Sequence, residues 1–281
     1  ANLTIKGNGT IKARGIFNYG VLTLENGTIN AIDGNGGYAV RNYSGSEFIM
    51  NGGTLATTLE DDKLVDKGGY DATTLRVDAG ATATINGGII NNICDYTFAL
   101  DNYGAVIINA GTFTSVHSTV SSYGNLTING GSFTCNGIEG VTAHALIAWD
   151  GSVTTINGGE FNGKDNYNGF NVDADRGSVV NICGGKFLPV HSGSLYGEGT
   201  IIVSGGTFFD NPSARLAEGY GVLKNKNGTY TVIPTTLKDG AVLDLQGAEY
   251  DGTITVEGSV TIKGDTKIKA LKSTTGCTIT I

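Results

Sequence analysis

The sequence is poor in charge and lacks long apolar runs and clustered cysteines. Charged residues make up 16% of the 281 positions, and the net charge of −8 comes without a basic cluster, so we expect no nucleic-acid partner. No run reaches the roughly 18 apolar residues of a membrane-spanning helix, so we expect no membrane insertion. The four cysteines lie far apart without a Cys-x-x-Cys pair, which indicates neither a structural zinc nor a redox motif. We expect no cofactor.

Proline is scarce, with 3 residues, whereas glycine is abundant, with 45. The glycines fall neither at every third position nor among prolines and serines, which excludes collagen and flexible linkers. A hydrophobic fraction of 40% beside so little charge is also wrong for a disordered chain. We therefore expect a folded protein in which glycine marks regular turns.

A motif of the Ile-Asn-Gly-Gly type recurs along the first three quarters of the chain. It occupies positions 24–27, 50–53, 85–88, 108–111, 128–131, 156–159, 182–185 and 203–206. A second turn, typified by Asn102-Tyr103-Gly104, precedes each copy by five or six residues. Short runs rich in β-branched and aromatic residues lie between the turns.

Three short strands and two tight turns per repeat predict an all-β fold, a parallel β-helix (β-solenoid) of about eight coils. A single coil cannot bury its own apolar face, so coils must stack at the strand spacing of about 4.8 Å. We predict this β-helix over 1–209. A short helix and a β-hairpin follow as an insert or cap over 210–234, where Pro212 opens the helix and Asn227-Gly228 forms the hairpin turn.

Residues 235–281 read as the start of a second β-helix array. The segment 259–270 closely repeats 2–13, and 276–281 falls where 20–24 would, at an offset of about 256 residues. We interpret the sequence as a mature or excised piece, one module of a larger, tandem protein. Self-association or further modules of the same protein are therefore expected partners.

Two resemblances rest on these residues. The Thr-Ile-Asn-Gly-Gly-x-Phe coils over about 1–209 resemble the right-handed parallel β-helices of the pectate-lyase-like superfamily, and this resemblance implies a right-handed β-helix here. The run Gly205-Gly206-Thr207-Phe208, with Pro212, Gly219-Tyr220 and 227–232, resembles a repeat-end motif of large surface proteins of anaerobic gut bacteria and of their phages. Neither match carries a catalytic signature. In such families the enzymes cut polysaccharides, whereas the non-enzymes act as shafts, adhesins or tailspikes and fibres.

An enzyme of this fold would need paired carboxylates on adjacent coils. The best acidic set is Asp150, Asp173 and Asp175, beside Arg176. Two of these carboxylates on neighbouring coils would lie about 5 Å apart, the spacing of a retaining glycosidase. Because Asp also favours turns, we interpret Asp150 and Asp175 first as turn residues.

The longest connection, 56–74, carries the weak metal candidates Glu60, Asp61, Asp62 and Asp66. It lacks the spacing of known calcium loops, so we interpret it as a solvated charged loop. Among the cysteines, Cys94 and Cys135 lie two coils apart. That separation, about 9.6 Å, exceeds the roughly 7 Å limit for a disulfide, so thiols are expected.

Aromatic residues recur at one turn position: Tyr19, Tyr43, Tyr103 and Tyr123, with Trp149 and Tyr196 as extensions. Stacked coils should align them on one edge, where they stack on each other or bind sugar rings of a cell-surface glycan. We therefore expect a non-enzymatic structural or adhesive solenoid located extracellularly, on a cell surface or on a virion. The alternative is a polysaccharide-degrading tailspike or lyase-type enzyme.

Overall fold

The computed structural model describes residues 1–32, 37–58, 73–94, 97–137, 142–163, 169–265 and 267–281. It confirms an all-β parallel β-helix with three strands per coil. The strands of the first stack are β1 (Asn2–Ile5), β2 (Thr10–Ala13), β3 (Ile16–Asn18), β4 (Val21–Leu24), β5 (Thr28–Ala31), β6 (Val40–Asn42), β7 (Glu47–Met50), β8 (Thr54–Thr57), β9 (Leu75–Val77), β10 (Thr82–Ile85), β11 (Ile89–Asn92), β12 (Leu100–Asn102), β13 (Ala105–Ile108), β14 (Thr112–Ser115), β15 (Val120–Ser122), β16 (Asn125–Ile128), β17 (Ser132–Cys135), β18 (Leu146–Ala148), β19 (Val153–Ile156), β20 (Glu160–Asn162), β21 (Val172–Ala174), β22 (Val179–Ile182), β23 (Lys186–Phe187), β24 (Leu195–Tyr196), β25 (Thr200–Val203) and β26 (Thr207–Phe208).

Every third strand joins the same sheet. Sheet I runs from β1 to β25, and sheet III runs from β3 to β24. Sheet II runs from β2 to β26 within the first stack and continues through the strands that follow it in the chain. The stack therefore has eight complete coils and a ninth of two strands. The eight Asn-Gly-Gly motifs mark coils two to nine; the first coil has Lys6-Gly7-Asn8-Gly9 at the corresponding turn.

A 3₁₀ turn and a β-hairpin follow the last strands of the first stack. A single 3₁₀ turn, Ser213–Arg215, replaces the expected short helix. The predicted hairpin is present as β27 (Tyr220–Lys224) and β28 (Tyr230–Pro234), and β28 pairs antiparallel with β26. Leu216 bridges to Val203 at the end of sheet I.

The remaining strands form a smaller parallel stack. They are β29 (Thr236–Leu237), β30 (Val242–Asp244), β31 (Glu249–Val256), β32 (Ser259–Lys263), β33 (Lys267–Ser273) and β34 (Thr278–Thr280). Strands β29, β31 and β33 form one parallel ladder, and β30, β32 and β34 form another. Between them lies a hydrophobic core separate from that of the first stack. The division of the chain into domains at 209 and 234 stays a prediction.

The core of the first stack consists of ladders of like side chains. Five buried phenylalanines of sheet II stack with ring centroids 4.4 to 5.0 Å apart: Phe113, Phe133, Phe161, Phe187 and Phe208. The close approach of coils at the turns requires glycine. At Gly131, for example, φ is +109° and a Cβ would lie 3.0 Å from the carbonyl oxygen of Gly111, so a larger residue would both strain the turn and separate the coils.

The outer surface repeats the same principle with polar groups. Four hydrogen bonds of 2.8 Å join the side-chain amides of five asparagines from coil to coil: Asn51, Asn86, Asn109, Asn129 and Asn157. We call these residues the asparagine ladder, and each of them is the asparagine of a motif of the Asn-Gly-Gly type. The motif's asparagine thus joins the coils along the axis, as well as favouring the turn.

In the part of the chain that the structure describes, no helix has the length and apolar character needed to cross a membrane. All four cysteines are thiols; Cys94 and Cys135 are buried, and Cys183 is exposed.

We predict that Phe161→Ala lowers the free energy of unfolding by about 3–5 kcal/mol, because a cavity opens between Phe133 and Phe187. Ile107, exposed on the outer face of β13, is the matched control, and Ile107→Ala should change stability by less than about 0.5 kcal/mol. Denaturant unfolding followed by circular dichroism measures both. Equal losses in the two variants would contradict the role of the phenylalanine ladder.

Candidate functional site

The predicted aromatic residues lie on one edge of the stack, which we call the aromatic edge: Tyr19, Tyr43, Tyr103, Tyr123 and Trp149. Each directly follows a strand of sheet III, so equivalent residues meet across the coil spacing. Their rings form two separate ring stacks. Tyr19 and Tyr43 lie 4.4 Å apart with planes 7° from parallel. Tyr103 stacks on Tyr123 at 4.6 Å, and Tyr123 on Trp149 at 5.4 Å.

Tyr196 does not extend this edge. It lies opposite Asp173, the middle residue of β21, and is therefore one residue before the aromatic position. Its ring stacks on Phe170, with the ring centres 4.2 Å apart. In its coil, the residue at the aromatic position is Gly197. The aromatic edge therefore ends at Trp149.

Between the two stacks, in the third coil, Asp78 takes the aromatic position. Two arginines from the middle of sheet III strands fill the gap: Arg41 Nε donates to Asp78 Oδ2 at 3.0 Å, and Arg76 Nε donates to Oδ1 at 2.8 Å. The Arg41 guanidinium lies 4.6 Å from the ring centre of Tyr43, and that of Arg76 lies 4.4 Å from the ring of Tyr103. Cation–π contacts thus link the two aromatic stacks.

Arg76 also holds the buried carboxylate of Asp101, whose Oδ2 lies 3.1 Å from Arg76 Nη1. Burial alone would lower the pKa of the Arg76 guanidinium, but its hydrogen bond to Asp78 and the charge of Asp101 raise it above its ordinary value. Burial, followed by the charge of Asp101, raises the pKa of the Tyr103 and Tyr123 phenols. Both phenols are therefore protonated, and able to donate hydrogen bonds, at neutral pH.

Mutual stacking leaves few ring faces free for a ligand. Inside each stack a ring is covered by the next coil, so a sugar ring can lie flat only on an end ring or meet the phenol edges. Tyr19, at the N-terminal end of the edge, is 73% exposed. Tyr123 is also exposed at its rim, at 40%.

Open grooves follow the turn glycines beside the aromatic edge. One, of about 420 Å³, is lined by Gly80, Thr82, Tyr103, Gly104, Gly124 and Gly151, among others. A second, of about 360 Å³, shares Gly80 and Thr82 and continues past Gly45 and Gly20 to Ala1. Together the two grooves extend along the stack axis from Gly151 to Ala1.

We predict that Arg76→Met destabilises the fold by about 3 kcal/mol, because it leaves the buried Asp101 carboxylate without its cation. The double variant Arg76→Met/Asp101→Asn is the matched control, since it removes the charge as well as its partner. It should recover most of the loss in a double-mutant cycle of unfolding free energies. If the second substitution recovers nothing, the ion pair is not the source of the effect.

The weak catalytic candidates are Asp150, Asp173 and Asp175. They come from three different positions of their coils. Asp175 takes the aromatic position, in register with Trp149; Asp173 lies in the middle of β21; Asp150 lies in the turn after Trp149, against Gly177. The carboxylate of Asp175 accepts a turn hydrogen bond from the N–H of Arg176 at 2.8 Å, which agrees with its interpretation as a turn residue.

Asp173 has a buried histidine beside it. His144 Nε2 lies 3.5 Å from Asp173 Oδ2, and His144 Nδ1 accepts a hydrogen bond from the N–H of Phe170 at 3.2 Å. The distance to Asp173 alone would fit an ion pair. Because Nδ1 is an acceptor, however, the ring carries its one proton on Nε2 and is neutral.

Burial controls the protonation of this pair. It is the main cause that lowers the pKa of His144 to about 4, and the nearby His117 lowers it further. Burial, followed by the charge of Asp175, raises the pKa of Asp173. Asp173 is thus the candidate carboxyl with the perturbed environment that acid catalysis uses.

We predict that His144 contributes a loss of stability as pH falls from 6.5 toward 4. The unfolded chain binds a proton on His144 near its ordinary pKa of 6.5, whereas the folded ring binds it only near 4. The loss from this group reaches about 3 kcal/mol.

His144→Gln should remove that part of the pH dependence, measured as unfolding free energy at pH 7 and pH 4. His191→Gln, at an exposed histidine, is the control and should follow the parent protein. A parent-like pH profile in His144→Gln would overturn the assignment.

The weak metal candidates Glu60, Asp61, Asp62 and Asp66 lie outside the described residues. Among the residues that are described, no group of three or more His, Cys, Asp or Glu side chains is placed to hold a metal ion.

The sequence interpretation did not single out the two arginines, and it did not predict the burial of His144 beside Asp173. Arg41 and Arg76 occupy the same mid-strand position in the coil that lacks an aromatic residue and in the coil before it, and this juxtaposition was the available signal. His144 stands in a connection of variable length, where no periodicity indicates burial.

Comparisons with protein-family models, curated proteins and solved structures find no match to this chain.

Proposed function

We propose that this protein is a non-enzymatic β-solenoid that acts as a rigid spacer and adhesive rod of a cell surface, an extracellular filament or a phage virion. The observation that carries the proposal is the use of surface side chains in axial ladders. The asparagine ladder and the aromatic edge both join neighbouring coils. Such contacts stiffen a stack along its axis, which is what a shaft requires.

The resemblance to pectate-lyase-like β-helices and to surface and phage fibre proteins belongs to this proposal. It supports a rod of the same architecture. Eight coils at about 4.8 Å each span only about 40 Å, so a useful spacer needs further modules or self-association. Negative-stain images with rods longer than one module would support the proposal, and isolated compact particles would count against it.

The adhesive part of the proposal assigns a cell-surface glycan to the aromatic edge. Tyr19 offers an open ring face, Tyr103 lines the groove, and the protonated phenols of Tyr103 and Tyr123 donate hydrogen bonds. Aromatic faces bind the apolar face of a sugar ring, while the phenols bind its hydroxyls.

We predict that Tyr19→Ala and Tyr123→Ala each weaken binding to a polysaccharide by at least about tenfold, the effect of losing about 1.4 kcal/mol. Co-sedimentation with a panel of acidic and neutral polysaccharides measures this. Phe209→Ala removes an aromatic side chain that is exposed elsewhere and should leave binding unchanged. Absence of binding to any polysaccharide, or equal loss in all three variants, would overturn the adhesive role.

One observation favours the alternative of a polysaccharide-degrading enzyme: the raised pKa of Asp173 beside Asp175 and His144. The same incubations discriminate, by assay of new reducing ends and of unsaturated uronate absorbance. Cleavage that is lost on Asp173→Asn or Asp175→Asn and retained in Asp239→Asn, a distant carboxylate, would replace the structural proposal with an enzymatic one.

A further inference from the structure

The second stack reproduces the beginning of the first in three dimensions. Strand β1 pairs in parallel with β4, with Asn2 opposite Val21, and β32 pairs in parallel with β34, with Ser259 opposite Thr278. The separation is 19 residues in both pairs. The repeated sequences 2–13 and 259–270 therefore adopt equivalent strands in equivalent register: β32 corresponds to β1, β33 to β2, and β34 to β4.

The two equivalent segments differ in what precedes them. In the second stack, β30 pairs with β32 so that Leu243 lies opposite Ile262, and β31 pairs with β33 so that Tyr250 lies opposite Ile268. In the first stack, β1 and β2 are the first strands of their sheets in the described chain. Residues 235–258 thus supply to the second stack a coil that the first stack does not contain.

Equivalent side chains in the two stacks differ in their exposed fraction. Val260 of β32 is 3% exposed, whereas Leu3, at the equivalent position of β1, is 53% exposed. Ile262 is buried, whereas its equivalent Ile5 is only half-buried, and Ile11 of β2 is 40% exposed. The sequence of the first coil thus carries apolar side chains at the positions that a preceding coil buries in the second stack.

We propose that β1 and β2 form the acceptor surface for another copy of residues 235–258, placed ahead of Asn2 in a tandem polypeptide. The copy pairs as it does in the second stack. Its Val242 lies opposite Thr4, its Leu243 opposite Ile5, and its Tyr250 opposite Ile11. Strand edges accept such additions through main-chain hydrogen bonds, and the alternating side chains fix the register.

Charge supports the same register. In the second stack Lys269 Nζ lies 3.1 Å from Asp251 Oδ1. The equivalent of Lys269 in β2 is Lys12, which would face Asp251 of the added copy. Both copies of the joint therefore pair a lysine with the same aspartate.

The proposal identifies how modules of the proposed rod join, and in that sense it rests on the proposed structural role. The test is a variant of the full chain in which residues 235–258 replace Ala1 and precede Asn2. A control extension of the same length carries Leu243→Asp and Ile254→Asp in the added copy, so that it cannot bury its apolar face. Hydrogen exchange of the amides of residues 2–13 is the readout.

We predict that the cognate extension slows exchange of these amides by at least tenfold, while the control extension leaves them as in the parent chain. Register is checked by disulfide formation. A cysteine at the copied Val242 should react with one at Thr4 and much less with one at Lys6, which is out of register by two residues.

Equal exchange with both extensions, or equal disulfide formation at the two positions, would overturn the proposed joint. These outcomes are independent of the glycan and cleavage assays. A failed joint therefore leaves the proposed function standing, and an observed enzymatic activity leaves the joint standing.

Discussion

The hydrogen-bond spacing between parallel strands is the constraint on which the rest of this structure depends. Adjacent strands lie about 4.8 Å apart, and each coil repeats the turns of the one before it. A side chain at a given position therefore meets its equivalents one strand spacing away on either side. Phenyl rings at that spacing stack, with centroids 4.4 to 5.0 Å apart in sheet II, and asparagine amides at that spacing hydrogen-bond at 2.8 Å.

The same constraint explains what happens where the repeat is broken. At the third coil an aspartate replaces the aromatic residue, and a carboxylate between two ring faces would be poorly solvated and repelled by their π electrons. Arg41 and Arg76 neutralise Asp78 and place their guanidinium groups over the rings of Tyr43 and Tyr103. The ladder thus continues through the break with a different chemistry, at the cost of fixing two long side chains.

This dependence on register sets how much the sequence could reveal. The turn motifs repeat at intervals short enough to predict the strands, about eight coils and the alignment of the aromatic residues other than Tyr196. The arginine contacts required knowing which mid-strand positions face each other across coils, which motif spacing alone does not specify. His144 lies in a connection whose length varies from coil to coil, so no period predicts its burial. The first coil escaped the motif search because Lys6-Gly7-Asn8-Gly9 replaces Asn-Gly-Gly there.

Ladders also limit where such a solenoid can bind or react. A ring or amide inside a ladder has its partners already, so unused capacity concentrates where a ladder ends. The aromatic edge ends at Tyr19, whose ring is largely exposed, and at Trp149, after which Asp175 takes the aromatic position. At this second end the indole of Trp149 shares a coil with His144, and Asp173 lies on the next coil. Burial lowers the pKa of His144 and raises that of Asp173. An aromatic surface beside carboxylates suits sugar hydroxyls and sugar faces together. The adhesive proposal and its enzymatic alternative therefore both use residues at the ends of the aromatic edge. They differ in whether Asp173 acts as a catalytic acid.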